Sequence, residues 1–276
     1  MHSIQRINSK FVGASGRESL YDLTVPSAWN HRIIIFLHGY MGYKDWGCWN
    51  LMEDFFNKAG YGFVKYNASH NGGTTENPID FDDLDSFSIN NYTKELEDFE
   101  AISKLVRTEF PAADIFVLGH SRGGGIALLQ SKNEAVSGIA TLAAISSIEE
   151  RFPKGSDLSD WRLNQYTYRK NGRTKQDMPS HISQYDDYIS NKNRLNIRVH
   201  CEESITPTLV IHGSHDQAVK LVEGERIADW LSSKLIILEE ESHTFGSSQP
   251  WKEKKLPSGL QTASEHILRF FESEIF

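Results

Sequence analysis

Cysteine is nearly absent. Cys48 and Cys201 are the only two, far apart and in neither a paired nor a zinc-ligand spacing, so a disulfide framework is not needed to explain stability. Long apolar runs are missing as well, and nothing approaches the roughly 18 residues that a membrane-spanning helix requires. The start of the chain, with Arg6, Lys10, Arg17 and Glu18, lacks the continuous apolar stretch of a secretory signal. A cytoplasmic location without a membrane partner is the resulting expectation. No Gly/Ser, Gln/Asn or Pro-rich tract and no tandem repeat is present, which sets aside linker, low-complexity and repeat readings. Positive charge is also in deficit. The formal net charge is −8, and without clustered Lys and Arg there is little to displace counterions from nucleic acid or anionic lipid. No nucleic-acid partner is expected; small neutral or cationic substrates suit this balance better.

What is present suffices for a full-sized core: 276 residues, 39% of them hydrophobic. Runs rich in β-branched and aromatic residues recur at Arg32 to Leu37, Tyr61 to Tyr66, Asp114 to Leu118, Gly138 to Ala143, Thr208 to Ile211 and Lys234 to Leu238, each reading as a strand buried on both faces. Helical periodicity lies between them, clearest from Ile89 to Phe110, and helices are also expected at Trp49 to Lys58, Ser121 to Gln130, Val219 to Ser232 and Gln261 to Phe271. This alternation predicts a mostly parallel α/β sheet covered on both faces. Residues 1 to about 25 read as one or two short strands forming an antiparallel edge. From about Ser146 to Ser204 the alternation breaks, in a stretch carrying Trp161, Tyr166, Tyr168, Tyr185 and Tyr188 among polar residues. That interval is too long for a plain loop. It is read as a small, mainly helical cap (146–204) inserted between core segments 1–145 and 205–276, with an ordinary crossover plus a mobile loop as the alternative.

The strand from Asp114 runs directly into Gly119-His120-Ser121-Arg122-Gly123-Gly124, after which a helix begins. A serine between strand and helix, flanked by glycines that permit a strained backbone and close approach, is the nucleophile-elbow pattern. A serine hydroxyl needs a base, and the base an orienting acid. Asp216 lies just past the strand from Thr208, where catalytic groups of an open α/β sheet gather. His243 follows the next strand. Ser121, Asp216 and His243 are thus the candidate nucleophile, acid and base, in the chain order of this fold. The negative charge that develops on a carbonyl oxygen calls for two N–H donors. The backbone N–H of Arg122 is one, at a helix start. The other is assigned to Tyr40 in His38-Gly39-Tyr40-Met41-Gly42, with Met41 as its alternative. His212, His215 and Asp216 could together ligate zinc, but no further ligand cluster accompanies them, so neither metal nor cofactor is expected.

On these motifs the sequence resembles the α/β-hydrolase superfamily, specifically its dienelactone-hydrolase-like and feruloyl- or cinnamoyl-esterase-like members, with features of S33-type peptidases. The resemblance rests on His38-Gly39-Tyr40, Gly119 to Gly124, His212-Gly213-Ser214-His215-Asp216 and Ser242-His243, and is weakest before residue 25 and across the insertion. It implies an acyl-enzyme on Ser121, proton transfer through His243, orientation by Asp216, and a cap whose aromatics line an acyl or leaving-group pocket. In some superfamily members the acid follows the sixth strand, where Glu149 and Glu150 lie. The implied activity is cleavage of small or medium, possibly aromatic, carboxylic esters. An aminopeptidase or amidase would use the same triad with an amine site, for which the acidic Asp80 to Asp85 stretch is the candidate; a thioesterase would share the machinery. A silent hydrolase fold used for binding typically lacks a triad member, and all three candidates are present here.

Overall fold

Alternate residues of a strand face opposite sides of a sheet, and here that alternation divides the core in two. A computed structural model of the chain describes residues 3–273. The chain runs β1 (Ile4–Val12), β2 (Glu18–Val25), β3 (Arg32–Leu37), α1 (Trp49–Lys58), β4 (Gly62–Tyr66), α2 (Leu84–Ser88), α3 (Tyr92–Glu109), β5 (Asp114–His120), α4 (Arg122–Leu128), β6 (Gly138–Leu142), α5 (Ser156–Asn164), β7 (Tyr166–Lys170), β8 (Asp177–His181), α6 (Ser183–Ser190), α7 (Ile197–Glu202), β9 (Thr208–Gly213), α8 (Leu221–Leu231), β10 (Leu235–Leu238) and α9 (Ser258–Ser273). Eight strands form one sheet in the order β1-β2-β4-β3-β5-β6-β9-β10. All neighbours from β4 to β10 pair in parallel, while β1 with β2 and β2 with β4 pair antiparallel, as the opening of the sequence suggested.

Ile33, Ile35, Ile115 and Val117 pack on one side of the sheet with Phe99, Ile102 and Val106 of α3 and Ile227 of α8. Ile34, Phe36, Phe116 and Leu118 pack on the other with Met52 and Phe56 of α1 and Ile267 and Phe271 of α9. Two apolar faces require helices on both sides, and this is the α/β-hydrolase architecture expected from the sequence. The long helix starts at Tyr92 rather than Ile89, because Asn91 caps it by accepting the Lys94 N–H at 2.8 Å; α2 occupies the residues before it.

The insertion departs from the mainly helical expectation. Between α5 and α6 it contains the antiparallel hairpin β7-β8, which places Tyr166 and Tyr168 on a strand. The side chain of Asn171 shapes the turn by accepting the N–H groups of Arg173 and Thr174. Met178, fully buried, seats the hairpin against Phe81 and Phe87. Farther on, α7 buries Ile197 and Cys201 against α4 and α8, so the last part of 146–204 packs with the core layer.

Candidate active site

The candidate residues lie where the parallel strands end, at their carboxyl edge. Leaving β5, the chain turns at Ser121 with φ 57° and ψ −117°, a backbone conformation that costs an L-residue energy. The turn is so tight that glycine is required beside it. A Cβ on Gly119 would lie 2.3 Å from the Gly123 carbonyl oxygen, and one on Gly123 would lie 2.3 Å from that of Leu37. The Ser121 side chain does not cap α4, which leaves its hydroxyl free for other work.

Asp216 and His243 come together from the loops after β9 and β10. His243 Nδ1 is 2.7 Å from Asp216 Oδ2, while Asp216 Oδ1 accepts the N–H groups of Ala218 at 2.8 Å and Val219 at 2.9 Å. His212 Nε2 donates to the Val219 carbonyl at 2.9 Å and sits 3.4 Å from Asp216 Oδ2. Burial alone would raise the carboxyl pKa; the hydrogen bonds from His212, His243 and the Val219 amide outweigh it and hold Asp216 well below the usual carboxylate range. An ionised Asp216 keeps the proton of neutral His243 on Nδ1 and leaves Nε2 as the basic nitrogen. Ser121 and His243 line the same cavities, although no hydrogen bond joins their side chains here. Such contacts commonly tighten only with substrate bound.

Two further histidines position this apparatus, and the sequence reading gave neither a role. His120 Nε2 donates to the His243 carbonyl oxygen at 2.9 Å, and the two rings lie 4.8 Å apart. Burial, reinforced by the neighbouring His243, pushes the His120 pKa down to about 3, so it stays neutral. His38 Nδ1 donates to the Gly39 carbonyl at 2.9 Å, and its Nε2 accepts the Ala68 N–H at 3.1 Å. The Gly39 carbonyl also accepts the Gly42 N–H at 3.0 Å, which pins the loop after β3. That loop abuts the elbow: a Cβ on Gly39 would lie 3.1 Å from Ser121 Cβ. Among the described residues, the backbone N–H groups of Tyr40 and Arg122 have no protein acceptor.

Neither alternative acid contacts His243, although Glu150 lines a cavity with it. Glu149 pairs with Lys192 and Glu150 with Arg226, and neither reaches His243. His215 is exposed, and no group of three metal-ligating side chains occurs among the described residues. Asp80 pairs with Arg173 at 2.8 Å, and Asp83 pairs with Arg17 at 2.6 Å while capping α2; no residue of the acidic stretch lines the two cavities around Ser121.

Two cavities flank the serine. One, of about 500 Å³, is lined by Tyr40, Tyr92, Phe152, Trp161, Tyr168 and Arg169, among others. The other, of about 280 Å³, is lined by Met41, Trp46, Trp49, Asn171 and Arg173, among others. Tyr40, Ser121 and His243 belong to both, and the β7-β8 hairpin reaches both. Of the insertion aromatics singled out in the sequence, Trp161 and Tyr168 line the larger cavity. Tyr185 instead meets Phe152 edge-on and Tyr188 packs on it at a tilt, while Tyr166 stacks on Tyr168 and meets His181 edge-on. A larger groove of about 860 Å³, lined in part by Pro207, Lys234 and Phe270, lies at the other end of the strands and contains none of the candidate residues.

Residues 29–195 match the family model described as serine aminopeptidase, S33. The chain belongs to this family. This S33-family chain is also similar, at 26% identity over 126 residues, to a monoacylglycerol lipase of Mycolicibacterium smegmatis, a match that spans 46% of this chain and 41% of that protein, under half of either. Its fold matches that of Est1E from Butyrivibrio proteoclasticus, solved with ferulic acid bound, at a TM-score of 0.74 and 14% identity over 97% of this chain and 99% of the other. Dienelactone hydrolase from Anabaena variabilis matches at a TM-score of 0.63 and 15% identity, over 99% of this chain and 98% of the other.

Proposed function

We propose that the chain is a serine hydrolase that cleaves small-molecule carboxylic esters through an acyl-enzyme on Ser121. The observation that carries this reading is the 2.7 Å contact of His243 with a buried Asp216, in loops beside a serine held at φ 57°. His243 Nε2 takes the hydroxyl proton as Ser121 Oγ bonds to the carbonyl carbon. The backbone N–H groups of Tyr40 and Arg122 receive the oxyanion. Gly39 against Ser121 and the share of Tyr40 in both cavities favour Tyr40 over Met41, which lines only the smaller one. The ester C–O bond then breaks, His243 returns the proton to the departing alkoxide, and water attacks the acyl-enzyme by the same relay.

Est1E and a monoacylglycerol lipase among the similar proteins support the ester reading, whereas the S33 family description names an aminopeptidase. The site favours the ester. An aminopeptidase must hold a substrate ammonium beside the scissile bond; Asp80 and Asp83 are paired with Arg173 and Arg17, and Glu150, which lines the larger cavity, is itself paired with Arg226. The test is an intact-mass measurement after incubation with a fluorophosphonate. One adduct on the parent and none on Ser121→Ala is expected, followed by turnover of p-nitrophenyl esters well above that of aminoacyl anilides. No adduct on folded parent protein would sink the hydrolase reading, and faster anilide turnover would transfer the assignment to a peptidase.

A further inference from the structure

The larger cavity carries an arrangement of charge that ester cleavage does not require. Three arginines, Arg122, Arg151 and Arg169, line it against one acid, Glu150, in a chain of net charge −8. Two of the three are compensated. Arg122 Nε is 2.8 Å from Glu95 Oε1, with its guanidinium 3.8 Å from the centre of the Tyr92 ring. Arg151 pairs with Glu223 at 2.6 Å. Glu150 is itself shared between Arg226 and Arg151. Arg169 has no carboxylate within ion-pair distance among the described residues; its guanidinium sits 5.9 Å from the centre of the Tyr40 ring, beside the elbow. Arg122, more than nine-tenths buried on Glu95 and the Tyr92 ring, adds positive charge to the cavity wall rather than a direct contact.

One uncompensated guanidinium above an aromatic-walled cavity suits a single negative charge, and its planar fork matches a carboxylate. We propose that the substrate limb bound in the larger cavity carries a carboxylate, held by Arg169 over the buried Arg122, so that the substrates are half-esters or other acid-bearing esters. A phosphate dianion would bring one more charge than the site leaves uncompensated. The proposal rests on the ester reading above and narrows it.

Binding to Ser121→Ala protein, in which esters stay intact, tests the charge independently of the chemistry. Two matched pairs cover both limbs: p-nitrophenyl hydrogen glutarate against p-nitrophenyl valerate, and the butyrate ester of 4-hydroxyphenylacetic acid against its methyl ester. In titration calorimetry, one pair is expected to show the anionic member bound at least about ten-fold more tightly, a charge-assisted hydrogen bond being sufficient for that difference. Arg169→Gln should erase the preference and Arg169→Lys should restore part of it. Equal affinity within both pairs, or a preference that survives Arg169→Gln, overturns the proposal. Should Ser121→Ala protein show the preference while the parent cleaves none of the four compounds, the carboxylate site stands and the ester reading falls.

Discussion

At the scale of single residues, Asp216 is the most constrained group in the site. Each of its oxygens is engaged: Oδ1 by two backbone N–H groups, Oδ2 by His243 with His212 alongside. Replacing one oxygen by an NH2 group turns an acceptor into a donor facing an N–H, so Asp216→Asn must either rotate or drive His243 to its other tautomer. Rotation would set the NH2 against the Ala218 and Val219 N–H groups, so the tautomer change, which removes the base from Nε2, is the expected response. Ester turnover should fall by about 10³- to 10⁴-fold with little change in KM, the scale known for loss of the orienting acid in serine hydrolases. Steady-state kinetics on a p-nitrophenyl ester check this; a loss under ten-fold would mean that another carboxylate orients the imidazole.

At the scale of elements, the β7-β8 hairpin contributes cavity walls from outside the core loops that carry the proposed machinery. It supplies Thr167, Tyr168 and Arg169 to the larger cavity and Asn171, Gly172 and Arg173 to the smaller, while Ser121, Asp216 and His243 stand on core loops. Its anchor is the small cluster of Met178, Phe81 and Phe87, separate from the two sheet-covering cores. Truncating a buried Met to Ala costs about 2–5 kcal/mol, and in a satellite cluster that loss falls on local opening before global unfolding. Met178→Ala should therefore speed tryptic cleavage at Arg169, Arg173 and Lys175, whereas Val106→Ala, in the main core, should leave cleavage there at the parental rate under native conditions. Equal acceleration in both variants would show that hairpin and core open together.

At the scale of the whole molecule, a knot of buried charge joins the antiparallel edge to the parallel sheet. Lys44 reaches Asp22 at 2.8 Å, and Lys65 contacts Asp22, Asp45 at 2.6 Å and Glu53 at 3.3 Å, with both lysines almost fully buried. Burial would raise the pKa of Asp22, but Lys65 and Lys44 hold it below the ordinary carboxylate value. A carboxylate depressed in the folded state contributes stability above its unfolded pKa and loses it as pH falls through the folded value. Lys65→Met leaves three acids facing one lysine, so it should cost about 3–5 kcal/mol at pH 7, the range for breaking a buried pair. That deficit should narrow near pH 4, where protonation relieves the acids in the variant and the parent begins to lose its own advantage. Urea unfolding at the two pH values measures the gap, and a gap independent of pH would remove the electrostatic explanation.

What could be read in one dimension was what depends on neighbours in the chain. Buried strands announce themselves by β-branched runs, the elbow by glycines whose Cβ atoms would strike backbone 2.3 Å away, and Ser121, Asp216 and His243 by their places just past strand ends. The hairpin escaped notice because its strands are largely exposed and carry no apolar run; Met178 holds it through contacts with residues some ninety positions earlier. Likewise, nothing local marks His120 as the support of His243, or Tyr185 and Tyr188 as packing rather than pocket. Net charge is the least local of these quantities. A total of −8 favours neutral or cationic substrates, but a substrate meets only the local field, which tertiary pairing decides by setting Asp80, Asp83, Glu95 and Glu223 against arginines and leaving Arg169 without a carboxylate partner among the described residues.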